Sequence, residues 1–183
     1  MSFTGRLLVA PPGRASDFWE RSVVLIYEES KLGSVGLVLN KDSGRTVQEL
    51  AEYHDASYRG KEGIYAGGEM SPSALILMHT PEWRCTNTMS VAHGVSISSD
   101  NYMVNRICKG DKPEKWKFYL GMSIWKPGDL EKEVSGRFPY SKRNSWLVAN
   151  AGADIIFEKN PEKMWKMAID RAVSEATELF FSA

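Results

Sequence analysis

The chain has 183 residues, 43% of them hydrophobic and 25% charged, which fits one globular domain with a core of its own. Its 23 Lys and Arg balance 23 Asp and Glu, so it lacks the positive surplus that sequence-independent nucleic-acid binding needs. Cys85 and Cys108 stand far apart, no apolar run nears the ~20 residues of a membrane span, and the N-terminus has no signal-peptide pattern, so a cytoplasmic protein without membrane contact is expected.

In chain order, Arg6–Ala10 is a short predicted strand ended by Pro11-Pro12-Gly13. Ser22–Tyr27 is continuous and β-branched, as suits a strand covered on both faces, and Ser34–Leu39 completes a hairpin with it. Thr46-Val-Gln-Glu49 is a capping box, so a short helix runs to about Tyr53. Gly63–Ala66 and Ala74–Met78 are strands around Gly67-Gly68. Ser90–Ser98 reads as one half-buried strand, through Val91, Val95 and Ile97. Ser99 or Asp100 caps a helix that stops at Gly110.

Trp116, Phe118 and Leu120 alternate with Lys117, Tyr119 and Gly121, which predicts a strand with one apolar face. Pro127 and Gly136 bracket a short helix in which Leu130 and Val134 lie one turn apart. Asn144–Asn150 and Ile155–Phe157 are the last strand candidates. Asn160 and Pro161 open a final helix whose stripe of Trp165, Ile169, Ala172, Val173, Ala176 and Phe180 serves as core or as a dimer seam, so a homodimer is a candidate state. Strands in small groups with helices between them, rather than strict alternation, predict an α+β fold with a mixed or antiparallel sheet.

Gly5–Ala10, Phe18–Val24, Gly36–Asn40, Thr46–Leu50, Gly67-Gly68, Trp125–Val134 and Asn144–Leu147 together resemble the YqgE/AlgH-like family, small bacterial proteins that are uncharacterised or assigned to transcriptional regulation. The resemblance implies a single domain over residues 1–183, with a small closed β-barrel inside a branched sheet surrounded by helices. It supplies no catalytic residues. The chain departs from the family pattern at Glu69-Met70, at Asp129 and in the insertion-like stretch 137–143.

The motifs of common chemistries are absent. Neither Gly94–Ser98 nor Gly121–Trp125 completes a nucleophile elbow, and Gly33–Gly36 lacks the end of a phosphate loop. His54, His79 and His93 show no metal-ligand spacing, so neither metal nor cofactor is expected.

Candidate binding residues are Gly67, Gly68, His79, Trp125, Pro127, Arg137, Tyr140 and Arg143. The glycines admit a ligand to the backbone or serve a turn. His79 is a cleft residue or a hydrogen-bonded structural one. Trp125, with Pro127 and Gly128, is a platform for a peptide or nucleobase, or a core anchor. Lys109, Lys112, Lys115 and Lys117 are interleaved with acids and read as a solvated face. Arg137, Lys142 and Arg143 around Phe138 and Tyr140 are the better nucleic-acid candidate, although nucleic acid is not the expected partner. The expected role is non-catalytic binding or regulation with a protein partner. The alternatives are an enzyme on a small metabolite, with a pocket near Gly67, Gly68, His79 and Trp125, and a direct DNA-binding regulator.

Overall fold

The computed structural model describes residues 1–14, 17–137, 139 and 145–183. Its strands are β1 (Arg6–Val9), β2 (Val23–Ser30), β3 (Gly33–Val38), β4 (Asp42–Thr46), β5 (Gly63–Ala66), β6 (Met70–His79), β7 (Met89–Ala92), β8 (Val95–Ser98), β9 (Trp116–Trp125) and β10 (Leu147–Asn150). The helices are α1 (Val47–Tyr53), α2 (Met103–Cys108), α3 (Asp129–Ser135), α4 (Ala153–Ile156) and α5 (Pro161–Ser182).

The strands form one sheet in the order β10-β1-β2-β3-β9-β6-β8-β7, with β4 and β5 as a side branch. Every pairing is antiparallel except β5 with β9, so the sheet is mixed and branched, as expected. The ladder is an open half-barrel with β10 and β7 at its ends, and the described pairings do not close the barrel that the resemblance implied. Helix α5 packs beside β10, and the Glu175 carboxylate accepts from the Asn150 N–H at 2.9 Å. A strand edge capped in this way is unavailable for closure.

The branch point is β9. One of its edges pairs with β6. The other is shared: Tyr119 and Leu120 pair with β5, and Ser123–Trp125 pair with β3. Gly67, Gly68 and Gly121 fill the junction. A Cβ on Gly68 would lie 2.3 Å from the Met122 carbonyl, and one on Gly121, where φ is +72°, would lie 2.3 Å from the Gly68 carbonyl. Only glycine permits three backbones to converge so closely.

Period-two alternation sends β1 and β2 side chains to two cores. Leu7, Val9 and Leu25 join Met164, Trp165 and Ala168 of α5. Leu8, Val24 and Ile26 join Trp125, Leu130 and Trp146 on the opposite face. A third core packs Val47, Ile64, Leu77 and Phe118 against Met103, Val104 and Ile107 of α2.

Local signals held at two caps: Thr46 and Glu49 form the full capping box, and Asn160 accepts from the Lys163 N–H at 2.9 Å ahead of Pro161. Four expectations change. Neither Ser99 nor Asp100 caps α2, whose cap position is Tyr102, with no side-chain bond. The Ser90–Ser98 strand is a hairpin, β7 and β8, because Gly94 turns at φ +72°. Ile155–Phe157 is not a strand: Ile155 and Ile156 belong to α4, where the Ile156 N–H reaches the Gly152 carbonyl at 3.1 Å. The first half of β9 is buried on both faces rather than one, since Lys117 and Tyr119 are buried along with Phe118. The polar strand β4 carries no apolar alternation and was not predicted.

Candidate functional site: a lysine-lined cleft over Lys117

At the N-terminal end of β9, the parallel pairing sets Tyr65 beside Tyr119, and their rings lie 5.4 Å apart. Lys117 follows two residues before Tyr119, on the same side of the strand. It is only 6% exposed. Its ammonium stands 4.9 Å from the centroid of the Tyr65 ring and donates to the carbonyls of Ile156, at 2.9 Å, and Glu158, at 2.5 Å. Lys117 thus ties the end of α4 to the sheet. Burial lowers its pKa from 10.5 to about 8, against the opposing pull of Glu158 and with the added push of Lys159. Burial also raises the Tyr65 phenol, aided by Asp42.

Above this floor opens a cleft of about 980 Å³. Its apolar walls are Tyr65, Trp116 and Phe157, all half-buried. Exposed Lys61, Lys112, Lys115 and Lys159 stand around it. None of these four makes an ion pair among the described residues. The lining acids are mostly occupied elsewhere. Glu62 accepts from the Tyr58 hydroxyl at 2.7 Å. Asp154 pairs with Arg171 at 2.6 Å, which carries its pKa below the usual range although burial alone would raise it. Glu158 accepts from the Asn160 N–H at 3.0 Å and pairs with Lys163 at 2.8 Å, and these hold its carboxyl down at about 2. Glu114 is the remaining acid of the lining. The charge left facing the cleft is positive, so the arrangement suits an anion.

Those candidate residues named from the sequence that the structure describes do not line this cleft. Gly67 and Gly68 hold the branch point. His79 pairs with Trp116 in the ladder while Gly68 lies against Met122, so the two are about 20 Å apart along β9 at 3.3 Å per residue. His79 has no exposed surface. Its Nδ1 lies 2.8 Å from the Thr80 carbonyl, which requires Nδ1 to carry the proton, so Nε2 accepts from the Ser98 hydroxyl at 2.8 Å. Burial lowers the His79 pKa despite the Thr80 contact and the nearby Glu82.

Trp125 is 7% exposed and belongs to an aromatic cluster. Trp19 lies 6.1 Å from Trp125 and 5.5 Å from Trp146, and Arg14 covers Trp146 at 4.7 Å. Glu133 of α3 accepts from both indoles, Trp125 at 2.8 Å and Trp146 at 3.0 Å. Pro127 and Arg137 are exposed at the two ends of α3. Tyr140 and Arg143 lie outside the described residues, as do Phe138 and Lys142.

Sequence reading missed Lys117 as a buried residue, placing it on a solvated face. The available signal was its position: a single lysine inside Trp116–Leu120, where every neighbour is aromatic or apolar. Among the described residues no helix is long and apolar enough to cross a membrane, and no group of three or more His, Cys, Asp or Glu could hold a metal.

Three comparisons match this geometry to known proteins. The AlgH-like family model matches residues 7–176. A UPF0301 protein of Shewanella denitrificans is 28% identical over 171 residues, covering 91% of this chain and 89% of that protein. The solution structure of the AlgH protein from Pseudomonas aeruginosa superposes with a TM-score of 0.74 at 26% identity, over 92% of this chain and 88% of that one. A crystal structure from Corynebacterium diphtheriae shares the fold, with a TM-score of 0.70 at 21% identity over 90% and 84% of the two chains. From Leu7 to Ala176, then, the sequence and the branched half-barrel agree, and the chain belongs to the AlgH-like family.

Proposed function

We propose that this protein is a non-catalytic binding module, that the cleft over Lys117 takes its ligand, and that the bound state is read by a protein partner, with any effect on gene expression indirect. The charge arrangement carries this reading. Among the described residues, four lysines face the cleft without ion-pair partners, while two of its four acids, Asp154 and Glu158, are paired with Arg171 and Lys163 outside it. Uncompensated cations around an apolar wall bind anions. Catalysis needs in addition a nucleophile or a proton-transfer group within reach of the ligand. The His79–Ser98 pair has suitable contacts but is closed off from solvent and from this cleft.

Support for a protein reader comes from the last turns of α5, where Leu179, Phe180 and Phe181 are 73%, 78% and 81% exposed. Apolar surface of this kind is where proteins associate. The free thiols of Cys85 and Cys108 favour a reducing, cytoplasmic setting.

The test is a titration with anionic metabolites followed by tryptophan fluorescence, with mass spectrometry of the recovered ligand. Saturable binding that weakens in Lys112→Ala/Lys159→Ala, with the ligand returned unchanged, is the expected result. Conversion of a bound compound to product would make the protein an enzyme and overturn the reading.

A further inference from the structure

We infer that the ligand of the Lys117 cleft is a nucleoside phosphate: a flat ring held against Trp116 and Phe157, with its phosphates among Lys61, Lys112, Lys115 and Lys159. The inference rests on the proposed binding role of this cleft and names the chemistry it selects.

Three observations lead there. The first is the kind of cation. All five basic groups of the lining are lysines, with no arginine. Guanidinium is a planar fork that fixes one carboxylate or one phosphate group with two parallel bonds, whereas ammonium is a point charge with no set orientation. A ring of lysines therefore suits a flexible anion that spreads several charged oxygens among them.

The second is the number of charges. Among the described residues, the four rim lysines and Lys117 face two acids that no cation pairs, Glu62 and Glu114, which leaves about three positive charges to be met. A monocarboxylate leaves most of these unmet, while a di- or triphosphate matches them.

The third is the wall. Trp116 lies edge-on to Phe118, at 5.6 Å and 73°, and edge-on to Tyr58, at 6.1 Å and 76°, so its ring plane is fixed. Phe157 also lines the cleft, at the end of α4, its backbone held by the bond of its N–H to the Ala153 carbonyl at 3.0 Å and by the Lys117 bonds on either side, at Ile156 and Glu158. Aromatic side chains in such a wall suit stacking by a base. A sugar phosphate or inorganic polyphosphate would make no use of them. The volume of about 980 Å³ admits a whole nucleotide, since small-ligand pockets run to roughly 1,000 Å³.

The experiment titrates the intact protein with four probes: adenosine triphosphate, adenosine, inorganic tripolyphosphate and citrate. Binding is read by calorimetry and by quenching of tryptophan emission. Adenosine triphosphate is expected to bind at least about tenfold more tightly than adenosine or tripolyphosphate. Its affinity should fall about tenfold when Lys112 or Lys159 becomes alanine, the cost of one bond to a charged group. These two side chains are exposed, so the variants are expected to fold, and unchanged melting temperatures check it.

If citrate binds as well as adenosine triphosphate, with the same lysine dependence, the nucleotide inference falls and the anion-binding module stands. Equal binding of tripolyphosphate removes the ring and overturns the inference in the same way. No saturation by any probe up to ~1 mM overturns the inference, and turnover of a probe overturns the binding-module reading itself. Binding of single-stranded oligonucleotides more tightly than the mononucleotide would reassign the cleft to a nucleic-acid surface.

Discussion

Lys117 and Tyr65 face each other across the parallel strand pair, ammonium over ring at 4.9 Å, with the lysine only 6% exposed. The burial of the ammonium makes the fold sensitive to alkaline pH in a defined direction. Unfolded, Lys117 binds its proton up to about 10.5; folded, it gives the proton up near 8. Between these values the unfolded chain holds more protons, so the Lys117 contribution to stability rises with pH; below about 8 both states are charged and the burial cost is fully present. The window is worth at most about 3 kcal/mol. Urea titrations of wild type and Lys117→Met from pH 7 to 9.5 should show a positive slope for wild type relative to the variant. Parallel curves would mean that Lys117 does not titrate within that window.

Glu133 holds two indoles with one carboxylate, so its replacement is predicted to cost twice. Glu133→Gln keeps one acceptor oxygen and turns an amide N–H₂ toward the other indole; Glu133→Ala leaves both N–H groups unpaired. The expected losses are about 1–2 kcal/mol and about 2–4 kcal/mol, set by the cost of buried unsatisfied donors. Chemical denaturation gives the energies, and changed tryptophan emission locates the effect. A loss below about 0.5 kcal/mol for the alanine variant would show that water replaces the carboxylate.

Gly68→Ala and Gly121→Ala place a Cβ 2.3 Å from backbone carbonyls, where no flexible side chain can yield. Each is predicted to destabilise by about 3 kcal/mol or more. Gly44→Ala is the comparison for Gly121→Ala: its φ of +74° is close to the +72° of Gly121, but nothing lies within 4 Å of the added methyl. Conformation alone should cost about 1 kcal/mol there. Equal effects at all three sites would mean that crowding at the branch point contributes nothing.

His79 is predicted to stay neutral as pH falls through its ordinary 6.5, because burial lowers its pKa. Below that value the unfolded chain takes up a proton that the folded chain refuses, so the His79 contribution to stability declines as the solution becomes more acid. In a nuclear magnetic resonance titration the midpoint of the imidazole resonances should fall below the ordinary 6.5. A midpoint at or above about 6.5 would show that the ring reaches water.

Elements with local chemistry were legible in the sequence. The Thr46–Glu49 box and the Asn160-Pro161 start announce helices because their capping groups are neighbours in the chain. The β2–β3 hairpin follows from two β-branched runs around a short polar turn. The α+β class and the family match were also within reach. The Lys117 cleft was not. It is built from β5, β9, the loop before β9 and the α4–α5 junction, and these meet only through a parallel pairing that no local pattern encodes. Lys117 itself looked like surface, because charge is usually solvated and its two carbonyl partners lie 39 and 41 residues away. Gly67-Gly68 was recognisable as a special place, but its reason, a close approach by Gly121 and Met122, is tertiary.

β9 carries Lys117 near one end and Trp125 at the other, eight residues apart on a single pleated strand. A slip of the strand by one position would turn the lysine away from its carbonyls and the indole away from Glu133 together. Gly121 lies between them and has room for no other residue. A residue inserted or removed between Lys117 and Trp125 would leave one of these two anchors out of register with its partners. Any change that retunes the cleft must come from side chains at fixed stations on this shared rail.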